Sequence, residues 1–308
     1  MKKKLIIIAV ILLLVPIVIY FAFPGILYNF SISSARKSAG LSKKIIKVDN
    51  NTISYLEGGK GDTVLLLHGF GGNKDHWTNF SKSLTANFHV VAIDLPGFGE
   101  SSKIETESYN IDSQVKRLSR IIDVLGLNKF HLVGNSMGGA IAGKYTAVVP
   151  DKVLSLALFD TGGIPSAEKS EYVKLLYKGE NPLLIESSQD FDEMMELAFE
   201  AFPPIPKRIK AYLTKQAILN RKFNGKVFRE IVLENYSLES DLSKIQVATL
   251  ILWGDKDRIL HVSSTNVLEK GLLKSTTVII KGCGHCPMIE RPEETAHHYL
   301  EFISPPSL

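Results

Sequence analysis

From Lys44 onward the chain alternates short β-branched or aliphatic runs with helix-length amphipathic stretches, a rhythm that few folds accommodate. A strand followed by a helix-length crossover pairs in parallel with the next strand, and a parallel sheet has to be covered by helices on both faces. The runs are Lys44 to Val48, Thr52 to Leu56, Thr63 to Leu67, His89 to Ile93, Phe130 to Val133, Val153 to Phe159, Thr249 to Trp253 and Thr276 to Ile280. They predict an eight-stranded, mostly parallel α/β sheet. Only Asp49, Asn50 and Asn51 separate the first two runs, a turn too short for a crossover, so these pair as an antiparallel hairpin. Apolar residues at 111, 115, 118, 121, 122 and 125 trace one face of a helix that packs on the sheet. Between Gly162 and Leu242 the alternation stops, and a helical segment interrupted by Pro203, Pro204 and Pro206 takes the place of a short connection. The expected organisation is a core of residues 44–161 and 243–305 carrying a helical cap of residues 162–242.

Residues 1–30 are read as an N-terminal membrane anchor. Leu5 to Phe23 is nineteen residues without a charge, preceded by Lys2, Lys3 and Lys4 and followed by Pro24 and Gly25, long enough to span a hydrocarbon core. Tyr20, Phe21, Phe23 and Tyr28 suit an interfacial belt. Secretion by cleavage is the alternative, but small residues near Ser33 to Ala35 lie well beyond the apolar run. Arg36, Lys37, Lys43 and Lys44 balance the N-terminal lysines, so charge leaves the membrane face open. The formal charge of +4 comes largely from those three lysines, which argues against a nucleic-acid partner. Two cysteines, Cys283 and Cys286, do not make a disulfide framework.

Val133-Gly134-Asn135-Ser136-Met137-Gly138-Gly139 ends a strand and opens a helix, the context of a Gly-x-Ser-x-Gly nucleophile elbow. Side chains at 134 and 138 would clash in so tight a turn, and the turn lifts the Ser136 hydroxyl clear of the backbone. His68-Gly69-Phe70-Gly71-Gly72 follows the third run, where main-chain N–H groups meet a developing oxyanion. The hole is assigned to the amides of Phe70 and Met137, and His68 to a structural role under the loop.

A serine hydroxyl needs a base, and the base needs a carboxylate to fix its tautomer. Trp253 to Arg258 and Gly282 to His285 each close a strand, where chemistry collects in open α/β sheets. His285 is the candidate base and Asp257 the candidate acid, with Asp255 and Asp160 as rival acids. His76, His89, His131, His261, His297 and His298 have no acid or cysteine at ligand spacing, so no metal is expected. Cys283-Gly284-His285-Cys286 also matches a thiol-disulfide redox motif, although such motifs open a helix in a small domain and this one closes the eighth strand.

Taken together, HGFGG, DLPGFGES, VGNSMGG, LWGDKD and GCGHCPMIERPEE resemble the α/β-hydrolase family, and within it the membrane-anchored monoacylglycerol lipases and related bacterial lipases. The resemblance implies an α/β-hydrolase fold, hydrolysis of fatty-acid esters of glycerol without a cofactor, a small lipid ester as substrate, and the triad Ser136, Asp257 and His285. Short-chain carboxylesterases and carbon-carbon bond hydrolases share most of these motifs. A non-catalytic binding protein on this fold would lack a triad position. Phe191, Met194, Met195, Leu197, Phe199 and Phe202 in the cap suit either an acyl chain or the cap's own core.

Overall fold

The computed structural model describes residues 3–4, 23–202, 204–233 and 236–303. The expected anchor therefore lies largely outside the described residues, and among those described no helix is long and apolar enough to cross a membrane. After helix α1 (Pro24–Ser38) come β1 (Leu41–Val48), β2 (Asn51–Gly58), β3 (Thr63–Leu67), β4 (His89–Ile93), α2 (Ile111–Val124), β5 (Phe130–Asn135), α3 (Met137–Val148) and β6 (Val153–Phe159). Three helices follow, α4 (Glu171–Tyr177), α5 (Ser188–Ala198) and α6 (Lys207–Leu233), and the chain then returns through β7 (Thr249–Gly254), α7 (Thr265–Gly271), β8 (Ser275–Ile280) and α8 (Pro292–Ile303).

The strands form one sheet in the order β1-β2-β4-β3-β5-β6-β7-β8. The β1–β2 and β2–β4 pairs are antiparallel and the rest parallel. Alternation along β3 shows how both faces are used: Leu65 and Leu67 join Ile121, Ile122 and Ile141 in one core, while Val64 and Leu66 join Trp77, Phe80 and Tyr299 in the other. The edge strand β1 begins at Leu41, three residues before the expected start. Its outward Lys43, Lys44 and Lys47 hide any apolar rhythm there, and charges of that kind guard an edge against pairing with another chain. Helix α2 starts where Asn110 accepts a hydrogen bond from the Ser113 N–H at 2.8 Å and buries Ile111, Val115, Leu118, Ile121 and Ile122.

β3 lies between β4 and β5, so the chain leaves it in one direction and returns past it in the other. At such a switch point the loops beyond the strand ends diverge and open a crevice. The segment between β6 and β7 closes on itself at its base, where Leu238 N–H donates to the Gly163 carbonyl at 2.7 Å.

A buried polar knot holds the loops after β3 and β4. Lys74, 1% exposed, reaches the fully buried Asp94 at 2.9 Å, and Asp94 also accepts from the amides of Lys74 at 2.6 Å and Glu100 at 2.8 Å. Arg36 of α1 pairs with Asp75 through two bonds at 2.6 and 2.7 Å. The His68 ring completes the knot: its Nε2 accepts from Leu95 N–H at 3.0 Å, so its Nδ1 carries the proton donated to the Gly69 carbonyl at 2.7 Å. Both ring nitrogens are thus occupied by a neutral imidazole, and burial holds the His68 pKa down at about 4.

Two outcomes follow for stability. Lys74→Met strands the Asp94 carboxylate and should lower the unfolding free energy by about 3–5 kcal/mol in urea titrations; a loss below about 1 kcal/mol would mean that water reaches the pair. Unfolded His68 takes up a proton near its ordinary value while the folded ring resists until about pH 4. The unfolded state therefore binds more protons across that window, and His68 alone should remove about 3 kcal/mol of stability as pH drops from about 6.5 to 4, with His76, held down to about 4 by burial as well, adding to the same slope. Urea midpoints measured across this range, with His68→Gln flattening the slope, check it.

Candidate active site

At the end of β5 the backbone turns so sharply that Ser136 adopts φ +55° and ψ −121°, a conformation that L-residues rarely hold. Its N–H donates to the Phe159 carbonyl at 3.0 Å, and its carbonyl accepts from Gly139 at 2.9 Å and Gly162 at 2.9 Å. Glycine is obligatory on either side. A Cβ at Gly134 would lie 2.2 Å from the Gly138 carbonyl oxygen, and one at Gly138 2.4 Å from that of Leu67.

Met137 is the first residue of α3, so its N–H has no partner within the helix and sits at the positive end of the helix dipole. The loop after β3 runs against the elbow, since a Cβ on Gly69 would meet the Ser136 Cβ at 3.0 Å. Phe70 follows directly, its ring edge-on to Phe98 at 5.7 Å and to Phe228 of α6 at 5.8 Å between centroids. The loop that carries Phe70 and the first turn of the helix that carries Met137 thus both adjoin Ser136.

His285 and Asp257, from the loops after β8 and β7, meet in a buried hydrogen bond of 2.8 Å between Nδ1 and Oδ2. Asp257 Oδ1 accepts from Ile259 N–H at 2.8 Å and Leu260 N–H at 2.9 Å. These three donors suit an ionised carboxylate. With its proton on Nδ1, the imidazole has a lone pair at Nε2. Asn135, the residue before Ser136, donates to the His285 carbonyl at 3.0 Å and to the Phe159 carbonyl at 3.1 Å. That amide ties the histidine loop to the elbow. Sequence reasoning missed it, and its only signal was its place inside the motif.

The rival acids lie elsewhere in the network. Asp255 Oδ1 accepts from Gly282 N–H at 2.7 Å and closes the loop after β8. Asp160, fully buried after β6 with φ +44°, accepts from Gly254 N–H at 3.0 Å through Oδ1. One ligand atom each from Asp160, Asp257 and His285 lie within 4.8 Å of one another. By distance alone such a trio could hold a cation, but the Asp257 oxygens and His285 Nδ1 are already engaged with one another and with main-chain N–H groups. Cys283 is buried and Cys286 partly so; both are free thiols, and burial, more than any neighbouring charge, pushes both upward. A redox cysteine needs the opposite shift. His89 pairs with Glu57, His131 with Ser155 and His261 with Ser263.

The apolar residues singled out between β6 and β7 divide. Leu197 and Phe199 pack with Tyr172 and Ile259 in a small core that Met194, Met195 and Phe228 flank, and Cys286 and Ile289 beside the histidine loop abut the same cluster. Phe202 stays 37% exposed. The Ala198 carbonyl accepts from His285 N–H at 2.8 Å, and Arg258 donates to the carbonyls of Glu196 and Phe199 at 2.7 and 3.3 Å. The end of α5 is therefore fastened to the loops that carry His285 and Asp257.

A family model described as the alpha/beta hydrolase fold matches residues 62–292. Lipase 1 of Psychrobacter immobilis is 35% identical over 266 residues, covering 85% of this chain and 84% of its own. The monoacylglycerol lipase ABHD6 of Bos taurus is 33% identical over 283 residues, covering 87% of this chain and 84% of its own. A crystal structure described as a membrane phospholipase A, a bacterial virulence factor, superposes with a TM-score of 0.90 at 44% identity, covering 98% of each chain. With the eight-stranded sheet, the strained elbow after β5 and this breadth of matching, the chain belongs to the α/β-hydrolase family.

Proposed function

We propose that the protein is a lipase that hydrolyses fatty-acid esters of glycerol by acyl transfer through Ser136. The chain is a carboxylic ester hydrolase in its broad class, in keeping with its lipase relatives. The observation that carries the finer reading is the buried His285–Asp257 hydrogen bond, tied through Asn135 to the elbow that presents Ser136. In the proposed cycle His285 Nε2 takes the hydroxyl proton as Ser136 Oγ attacks the ester carbonyl. The imidazolium forms against the Asp257 carboxylate, and the Phe70 and Met137 amides receive the oxyanion. Collapse expels the alcohol with the proton from His285, and water, activated by the same imidazole, hydrolyses the acyl-enzyme. The segment 162–242, read as a cap, offers Met194, Met195 and Phe228 as an apolar lining beside the histidine loop.

A membrane location supports a lipid substrate. Residues 1–30 are read as its anchor, and Phe23, which ends the apolar run, with Ile26 and Phe30 on α1, are 53, 55 and 74% exposed at a spacing that shares one helical face. A face of this kind suits the lipid interface. The 44% identity to a membrane phospholipase A favours a second reading, in which the scissile ester belongs to a glycerophospholipid. The chemistry at Ser136 is the same in both.

Ser136→Ala should reduce kcat/KM by about 10⁴-fold or more at unchanged fold; ester hydrolysis at the wild-type rate would end the mechanism. A panel of monoacylglycerols, diacyl phospholipids and short esters, assayed with full-length protein in mixed micelles, separates the substrate readings. Preference for two- to four-carbon acyl groups would replace the lipase by a small-ester esterase. Full-length protein should float with anionic vesicles in a density gradient and protein lacking residues 1–22 should do so weakly; equal flotation of both would remove the anchor.

A further inference from the structure

The carboxyl of Asp160 is unused by the mechanism above, yet it is fully buried beside it. Asp160 Oδ1 accepts from Gly254 N–H, while Oδ2 is buried with no hydrogen-bond donor among the described residues. Its neighbour is another carboxyl, for an oxygen of Asp160 and one of Asp257 lie within 4.8 Å of each other, close enough for a small turn of either side chain to join them. Two carboxyls can share a hydrogen bond only if one of them holds a proton.

The partners decide which one. Asp257 accepts from His285, Ile259 and Leu260, and protonating it would cost at least one of those bonds. Asp160 accepts from a single N–H and has an oxygen to spare. We infer that Asp160 is a neutral positioning residue, which keeps the proton and donates it in a hydrogen bond to the Asp257 carboxylate. Burial first, and then the Asp257 charge, push the Asp160 carboxyl well above the usual carboxylate range, in the direction this arrangement requires. Glu290 adds a further negative charge from the neighbouring turn, and Cys283 and Cys286, held as thiols, also face the pair.

Such a bond does two things for the acid of the proposed triad, on which this inference rests. It adds one more fixed donor to the Asp257 carboxylate, beside its main-chain donors, and so helps to hold its plane. It also draws charge from that carboxylate, so that His285 is not made so basic that it keeps the serine proton at neutral pH. The inward turn of Asp160 is held by its own strained backbone, its N–H bonded to the Leu252 carbonyl at 3.0 Å.

Asparagine is the close mimic of a protonated aspartate here: its Oδ1 can accept from Gly254 and its Nδ2 can donate to Asp257. The pH dependence of kcat/KM on a soluble p-nitrophenyl ester, together with kcat, KM and Tm, should be compared for wild type, Asp160→Asn, Asp160→Ala and Asp257→Ala. Asp160→Ala should lower kcat by about tenfold or more with KM little changed. It should also move the acid limb to higher pH, because an undamped Asp257 holds the imidazolium more tightly. Asp160→Asn should restore most of kcat and return the limb to its wild-type position. A limb moved to lower pH in Asp160→Asn would mean that an anion had been removed and would overturn the inference, as would a wild-type profile in Asp160→Ala. Activity retained in Asp257→Ala but lost in Asp160→Asn would make Asp160 the triad acid and sink the triad reading itself. Should Asp160→Ala not fold, the direction of the limb in Asp160→Asn decides alone.

Discussion

The contact of three main-chain segments at the end of β5 is the constraint around which the rest of the site is arranged. Gly134 approaches the Gly138 carbonyl, Gly138 approaches those of Leu67 and His68, and Gly69 approaches Ser136. No side chain larger than hydrogen fits between them. That closeness forces Ser136 into positive φ, and a strained residue persists only where its surroundings over-determine it. Here they do: the N–H and carbonyl of Ser136 are bonded to Phe159, Gly139 and Gly162, and Asn135 beside it bridges the same Phe159 carbonyl to that of His285.

Around this point, ionisable groups are kept away from water by being given fixed partners. Lys74 and Asp94 neutralise each other and lock the loops that follow β3 and β4. His68 stays neutral because both of its nitrogens are used. Asp257 is surrounded by N–H donors, and Asp160 faces it with too few. In a low-dielectric setting each arrangement selects one protonation state, since the alternative would leave a charge or a donor unmet. The loop geometry and the protonation states are thus two aspects of one hydrogen-bond network.

Much of the fold was legible because a parallel sheet buried on both faces leaves an unmistakable rhythm. β3, β4 and β6 begin and end at the expected residues, and β5 runs on through Gly134 and Asn135, paired with Leu158 and Phe159. β1 was less legible, since a lysine-bearing edge strand is not required to be apolar. Glycine spacing announced the elbow for a local steric reason, and strand order indicated the loops that hold Asp257 and His285.

What the sequence determined by itself is whatever local sterics and periodicity dictate: the alternation of strands and helices, the turn at Ser136, and the strand ends at which acid and histidine stand. Tertiary structure alone decided the long-range pairings. Asp257 rather than Asp255 meets His285, because Asp255 is drawn to the Gly282 amide and Asp257 turns toward the ring. Asn135 clasps the histidine loop 150 residues later, and Asp160 comes to lie beside Asp257 because β6 and β7 are neighbours in the sheet. Residues widely separated in the chain carry no mutual signature along it; only the register of the sheet brings their side chains together.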